Sequence, residues 1–311
     1  MTTLIIENAH GLDHDTPPGH PEQVARLKAV SEALSAPAFD TARRAAAGPA
    51  LRADITQGHS EGYLDQIEDA IPASDRVALD ADTYVSPGSW DAALRGVGGC
   101  IAAVDAVLDG HAKNAFVATR PPGHHAERDR AMGFCLLGNV AIAAKHALDR
   151  RGLSRVAVVD FDVHHGNGTQ DILWDEPRAL FVSSHQMPLY PGTGGPGERG
   201  ATRNIRNVPL SPGSGGTEMR AVYEAQVFPF LRAFEPEMVL VSAGFDAHRD
   251  DPLANLNWTE EDFAWVTRGL CDLADELCGG RVVSTLEGGY DLSSLAASVA
   301  VHVTELMERH G

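Results

Sequence analysis

The feature that most constrains this chain is a repeated change of hydrophobic period. Short apolar runs at Thr3–Ile6, Ala115–Thr119, Arg155–Val159, Ala179–Ser183, Met238–Ser242 and Arg281–Thr285 alternate with longer stretches of helical spacing. Those stretches are Gln23–Leu34, Trp90–Leu108, Asn139–Arg150, Glu218–Phe234, Glu260–Leu277 and Leu292–Glu308. Short strands alternating with longer helices predict an α/β fold, a mostly parallel multi-stranded sheet with helices on both faces. No flexible linker, internal repeat or low-complexity tract interrupts the alternation. The Gly- and Pro-rich stretch Pro188–Gly216 reads as surface loops, because the alternation resumes unchanged on both sides. A single domain over residues 1–311 is expected.

Polar residues fall at the ends of these strands. Ala115–Thr119 runs into Arg120-Pro121-Pro122-Gly123-His124-His125, and Arg155–Val159 into Asp160-Phe161-Asp162-Val163-His164-His165. Ala179–Ser183 leads to Ser184-His185, Met238–Ser242 to Ala243-Gly244-Phe245-Asp246, and Arg281–Thr285 to Leu286-Glu287-Gly288-Gly289-Tyr290. Parallel α/β sheets bind ligands beyond the carboxyl ends of their strands. Five strands would therefore deliver histidines, carboxylates and a tyrosine to one edge.

Asp160, Asp162 and His164 recur at every second position, so persisting strand geometry would project all three to one side. Asp162 and His164 can then share a metal, with Asp246 as third ligand and an open position for water, as in a catalytic site. Taken alone, the Asp-x-His pair equally suits aspartates that cap the next helix. Its meeting with Asp246 favours the metal. Pro121, Pro122 and Gly123 fix a loop that can hold His124 and His125 near a metal-bound water, although a bare His-His pair more often lies on a surface. Gly288-Gly289 permits close approach by Tyr290, for which a buried structural role is the plainer alternative.

Composition excludes several classes. With 25 basic and 43 acidic residues the net charge is −18, against a nucleic-acid-binding surface. The acidic balance suits solubility first and cationic substrates second. No apolar run approaches the roughly 20 residues of a membrane helix. The start, MTTLIIENAHGLDHD, lacks the basic residues and apolar length of a signal peptide. Cys100, Cys135, Cys271 and Cys278 show no zinc-finger spacing, and the last two suit a shared buried helix face rather than a disulfide. A cytoplasmic protein is expected.

The chain resembles the histone deacetylase and acetylpolyamine amidohydrolase superfamily, of arginase-like α/β fold. The matching stretches are HPEQVARL (His20–Leu27), RPPGHHA (Arg120–Ala126), GFC (Gly133–Cys135), DFDVHHGNGTQ (Asp160–Gln170), PGTG (Pro191–Gly194), SAGFDAHRDDPL (Ser242–Leu253) and LEGGYDL (Leu286–Leu292). The resemblance implies a hydrolase with one zinc held by Asp162, His164 and Asp246, a site that iron(II) or cobalt(II) also suits. It implies His125 as general base and then acid, His124 as electrostatic support oriented by Asp160, and Tyr290 as hydrogen-bond donor to the oxyanion. It further implies a potassium site involving Asp160 and Ser183. Asn167 stands where some members carry an aspartate and a class II-like branch carries asparagine. Without a carboxylate there, His125 would titrate lower. Tyr290 is the residue of active members, since those with histidine there deacetylate acetyl-lysine poorly.

The family encloses the acyl-lysine arm in an apolar tunnel, to which Gly133 and Phe134 match one wall and Tyr190 the other, with core packing an equal alternative for Tyr190. Leu253 matches a rim position that can be glutamate in polyamine-preferring relatives, so acyl-lysine in proteins or peptides is the leading substrate and acetylated polyamines or other small amides the alternative. Arg26 lines an acetate route or lies exposed on its helix. The segment His14–His20, stiffened by Pro17-Pro18-Gly19, suits a loop at the mouth that sets access or homo-oligomer contacts. From a different class, a non-catalytic protein that binds a metal or acyl ligand would keep the same pocket.

Overall fold

All six apolar runs form strands in the computed structural model, which describes residues 2–309. The strands are β1 (Leu4–Glu7), β2 (Arg43–Ala46), β3 (Val77–Ala78), β4 (Tyr84–Val85), β5 (Asn114–Ala118), β6 (Val156–Asp160), β7 (Ala179–Gln186), β8 (Ile205–Leu210), β9 (Met238–Ala243) and β10 (Val282–Leu286). Eight of them make one sheet in the order β2-β1-β5-β10-β9-β6-β7-β8, with every pair parallel. The remaining two, β3 and β4, form a small antiparallel ribbon. Two sheet strands carry no apolar run. β2 is fully exposed Arg-Arg-Ala-Ala at one edge, and β8 lies at the other edge, inside the stretch expected to be loops.

The helices are α1 (Val24–Leu34), α2 (Arg52–Ile55), α3 (Glu61–Ala70), α4 (Ser89–Leu108), α5 (Asn139–Asp149), α6 (Asn167–Leu173), α7 (Gly216–Val222), α8 (Phe228–Phe234), α9 (Glu260–Cys278) and α10 (Leu292–Glu308). Local chemistry sets several boundaries. Thr259 and Asp262 box the start of α9, and Gly279 ends it in the left-handed conformation at φ 64°. The Asp291 side chain accepts the Ser294 N–H at 2.8 Å to open α10. The helix expected over Glu218–Phe234 is instead α7 and α8 joined by a wide turn at Tyr223–Val227. Pro229 explains the break, since it has no N–H for the carbonyl one turn earlier.

Alternate strand residues feed opposite faces. Ala157 and Val159 pack with α1, α8, α9 and α10, whereas Val156 and Val158 pack with α4 and α5. A sheet covered on both sides must be apolar on both, which is why its central strands read as continuous hydrophobic runs. Cys271 and Cys278 lie buried and unpaired on α9. Among the described residues no helix is long and apolar enough to cross a membrane. Because all eight strands run the same way, their carboxyl ends, and the residues that follow, share one edge.

Candidate active site

β6 stops at Asp160, so the strand geometry expected to project Asp162 and His164 does not persist. Bends replace it, and the carboxylates themselves hold the bent backbone. Asp160 Oδ1 accepts the Asp162 N–H at 3.1 Å, and Asp162 Oδ1 accepts the His164 N–H at 2.9 Å. Asp246 reaches the same place because β9 pairs with β6, and its Oδ1 accepts the Val163 N–H at 2.9 Å. One donor atom from each of Asp162, His164 and Asp246 lies within 4.8 Å of the others, all three residues buried. His164 Nδ1 sits 3.1 Å from both Asp162 Oδ1 and Asp246 Oδ2.

Glycines make room for this cluster. A Cβ on Gly244 would fall 2.0 Å from Asp162 Oδ2, and one on Gly288 would fall 2.2 Å from Asp246 Oδ2. Two carboxylates and an imidazole, converging where any other side chain would collide, fit a divalent cation of the zinc type.

The paired histidines lie beside it, ring centroids 4.0 Å apart. His124 Nδ1 is 3.0 Å from Asp160 Oδ2. Burial opposes charge on His124, but the carboxylates of Asp162 and Asp160 outweigh it and hold the imidazole well above its ordinary value. His125 goes the other way. Burial, reinforced by His124 and His164, holds it well below its ordinary value. Its Nδ1 is 2.7 Å from Asn167 Oδ1, while the Asn167 amide nitrogen donates to Glu127 Oε1 at 2.7 Å. A carboxylate only accepts, so the amide orientation is set and His125 Nδ1 must carry the proton. Nε2 of His125 is then the basic nitrogen.

A cavity of about 230 Å³ opens above, lined by His125, His164, Gly133, Phe134, Leu189, Tyr190, Leu253, Tyr290 and Asp82. Gly133 is required where it is, at φ 55°, because a Cβ would lie 2.4 Å from the His125 ring. The Phe134 ring stands edge-on to Tyr290 at 5.7 Å, and Tyr190 stands edge-on to His125 at 5.2 Å. The Tyr290 backbone N–H donates to Asp251 Oδ2 at 2.7 Å, and burial raises its phenol well above the ordinary value.

Every sequence-derived site residue lies in or against this edge, but Arg26 does so differently from either expectation. It is completely buried, and it does not line the cavity. Its guanidinium bonds Glu22, Gly289 O and Glu287 O, and lies 4.8 Å from the Tyr290 ring centroid. Glu22 is bonded in turn by Arg120. Ser183 pairs with Asp160 across the sheet and bonds His185 Nδ1 at 2.9 Å. Of the mouth segment, His20 packs edge-on to Phe134 at 4.8 Å, whereas His14 is buried against Ser89.

Sequence reasoning missed two acids. Asp82 lines the cavity from the loop before β4, oriented by Asp80, whose carboxylate accepts the Asp82 and Thr83 N–H groups. Glu287 lies beneath the histidines, and burial pushes its carboxyl up to about 7 against the pull of His124. The stretch Leu286–Leu292 flagged the neighbourhood of Glu287, whereas nothing in the letters around Asp82 pointed inward.

Residues 20–306 match the model of the histone deacetylase domain. The chain belongs to the histone deacetylase family. As a family member it is a hydrolase of the deacetylase and amidohydrolase kind. It is 38% identical over 298 residues to a probable deacetylase of Archaeoglobus fulgidus, covering 94% of this chain and 82% of that protein. It is 40% identical over 275 residues to the histone deacetylase-like amidohydrolase of Pseudomonas aeruginosa, covering 87% and 71%. Among solved structures it resembles the HDA15 HD domain, with a TM-score of 0.93 and 33% identity over 99% of this chain and 89% of that one.

Proposed function

We propose that this deacetylase homologue is a zinc-dependent amidohydrolase that removes acetyl groups from lysine side chains of proteins or peptides. One observation carries the reading. The Asp162–His164–Asp246 cluster, the His125 ring and Tyr290 meet at a single cavity with an aromatic wall. Asp162, His164 and Asp246 would hold the ion, which when bound makes water more acidic and polarises the acyl carbonyl. Iron(II) or cobalt(II) suits the same donors.

His125 Nε2 takes the proton of the attacking water and returns it to the departing amine as the C–N bond breaks. Its low proton affinity keeps it unprotonated near neutral pH, ready to act as the base. His124, whose proton affinity the Asp162 and Asp160 carboxylates raise, would when protonated oppose the negative charge that develops beside it. The Tyr290 hydroxyl donates to the carbonyl oxygen as that oxygen becomes anionic. Asp160 and Ser183 are candidates for a supporting potassium site. The Phe134 and Tyr190 rings enclose the methylene arm.

Asp82 supports a second reading, since its carboxylate on the cavity wall supplies the acid that Leu253 lacks. It can accept a peptide N–H beside the acyl-lysine, or pair with the distal ammonium of an acetylated polyamine. Steady-state kinetics on acetyl-lysine peptides and acetylated polyamines, with elemental analysis of the purified protein, test both. The expected result is one zinc per chain and higher kcat/KM on peptides, reduced roughly tenfold by Asp82→Asn as one charged hydrogen bond is weakened. A strong polyamine preference abolished by Asp82→Asn would install the second reading. Absence of turnover with metal bound would leave a ligand-binding protein.

A further inference from the structure

We infer that Glu287 is a positioning residue for the paired histidines, clamping the backbone of their turn to the strand end from which Tyr290 departs. The inference rests on the deacetylase reading for what the histidines do, and on geometry for how they are held. Glu287 Oε2 accepts two converging N–H groups, from Gly123 at 2.6 Å and from His124 at 3.1 Å. Its Oε1 accepts the Ser242 hydroxyl at 3.2 Å, from the strand that leads to Asp246. The Glu287 backbone N–H donates to Ala243 O at 2.9 Å, and its carbonyl accepts from Arg26 Nη2 at 2.6 Å. The next residue, Gly288, donates its N–H to Asp162 at 2.8 Å. One fully buried side chain thus ties the ends of β5 and β9 to β10.

The turn is also closely packed by backbone. A Cβ on Gly123 would lie 2.6 Å from Asn139 N and 2.7 Å from Leu137 O. The turn is therefore packed against the backbone that enters α5 as well as bonded to the Glu287 carboxylate. A carboxyl group this deep is costly unless its oxygens are used, and an apolar replacement would leave two buried N–H groups unmet. Glu287 reaches neither the cavity nor a reacting atom, so it acts through the placement of His124 and His125.

Three variants separate reach from charge. Glu287→Gln keeps an oxygen where Oε2 stands, Glu287→Asp keeps the charge but is shorter by one methylene, and Glu287→Ala removes both. The expected outcome is a fall in kcat of about 100-fold for Ala and Asp, as for ångström-scale misplacement of a reacting group. KM should stay within about threefold and metal content unchanged, and Gln should recover to within about tenfold of the parent. Full activity in Glu287→Ala, or recovery by Asp but not Gln, would overturn the inference. So would loss of metal in step with activity. A readout independent of turnover is the backbone amide spectrum: the Gly123 and His124 N–H resonances should move in Ala and Asp and hold in Gln. If the parent hydrolyses no amide yet these shifts follow that pattern, the clamp stands and the enzymatic reading falls. Unmoved amide resonances in Ala would sink the clamp itself.

Discussion

Gly288→Ala should abolish binding of the metal proposed for Asp162, His164 and Asp246 while leaving the fold in place. Gly288 is not among the residues with positive φ, so alanine suits its backbone and the added methyl is the whole perturbation. That methyl would lie 2.2 Å from Asp246 Oδ2 and 2.5 Å from Asp162 Oδ2, where ordinary contact begins at 3.4 Å. Both carboxylates must therefore retreat by about 1 Å, several times the roughly 0.2 Å that metal–ligand distances tolerate. They cannot retreat freely, because Asp162 is fixed by the His164 and Gly288 N–H groups and Asp246 by that of Val163. Metal affinity should fall at least 100-fold, beyond the usual effect of altering a ligand's supporting partners. Turnover should fall with it. The assay is zinc content by elemental analysis after dialysis against a graded chelator, alongside circular dichroism of the folded state. A variant that retains one tightly held zinc would refute both the collision and the assignment of Asp162 and Asp246 as ligands.

Two further outcomes are expected. Tyr290→Phe should lower kcat by roughly 10²–10³, as loss of one oxyanion donor does, with metal content unchanged, and near-parental turnover would remove the hydroxyl from the reaction. Away from the site, bonds from Arg178 hold Glu176 down at about 2, with burial opposing and Lys145 adding to the effect. A depressed carboxyl stabilises the fold above its unfolded titration near 4.5 and loses that contribution as pH falls through 2. Glu176→Gln should cost roughly 1–2 kcal/mol near pH 7, less than the full shift because its partners are partly solvated, and less than half of that near pH 3. Urea unfolding at both values checks it, and an equal loss at both would contradict the assignment.

The sequence made the central sheet legible because strands buried on both faces are dominated by apolar residues, with their few polar positions mostly toward the carboxyl ends. β2 was invisible for the opposite reason. Arg43-Arg44-Ala45-Ala46 is exposed throughout and becomes a strand only by pairing with β1. β8 hid in a glycine-rich stretch, its Ile205 and Val208 too sparse to mark a run. At the site the expected residues do lie together, but one stated reason for their meeting does not hold. Asp162 and His164 converge with Asp246 through bends that carboxylate–amide bonds stabilise, not through continued strand alternation. The ion pair of Glu22 with Arg26 and Arg120 could not be read, because an arginine on a helical pattern and another in a strand-end loop both look like solvent-facing charge until the fold brings a buried acid to them. Asp82 was lost for a related reason: its role depends on where a short ribbon folds back, which no local period encodes.

An open sheet ends in two rows of unpaired amide and carbonyl groups, and such rows recruit strands from other molecules. Here one row belongs to a four-residue strand that begins with two arginines, and the other carries a proline, Pro209, which has no hydrogen to offer. Pairing through either border would have to bring guanidinium groups together or go without a rung of its ladder. The molecule can thus hold an apolar, all-parallel interior without inviting its copies to extend it.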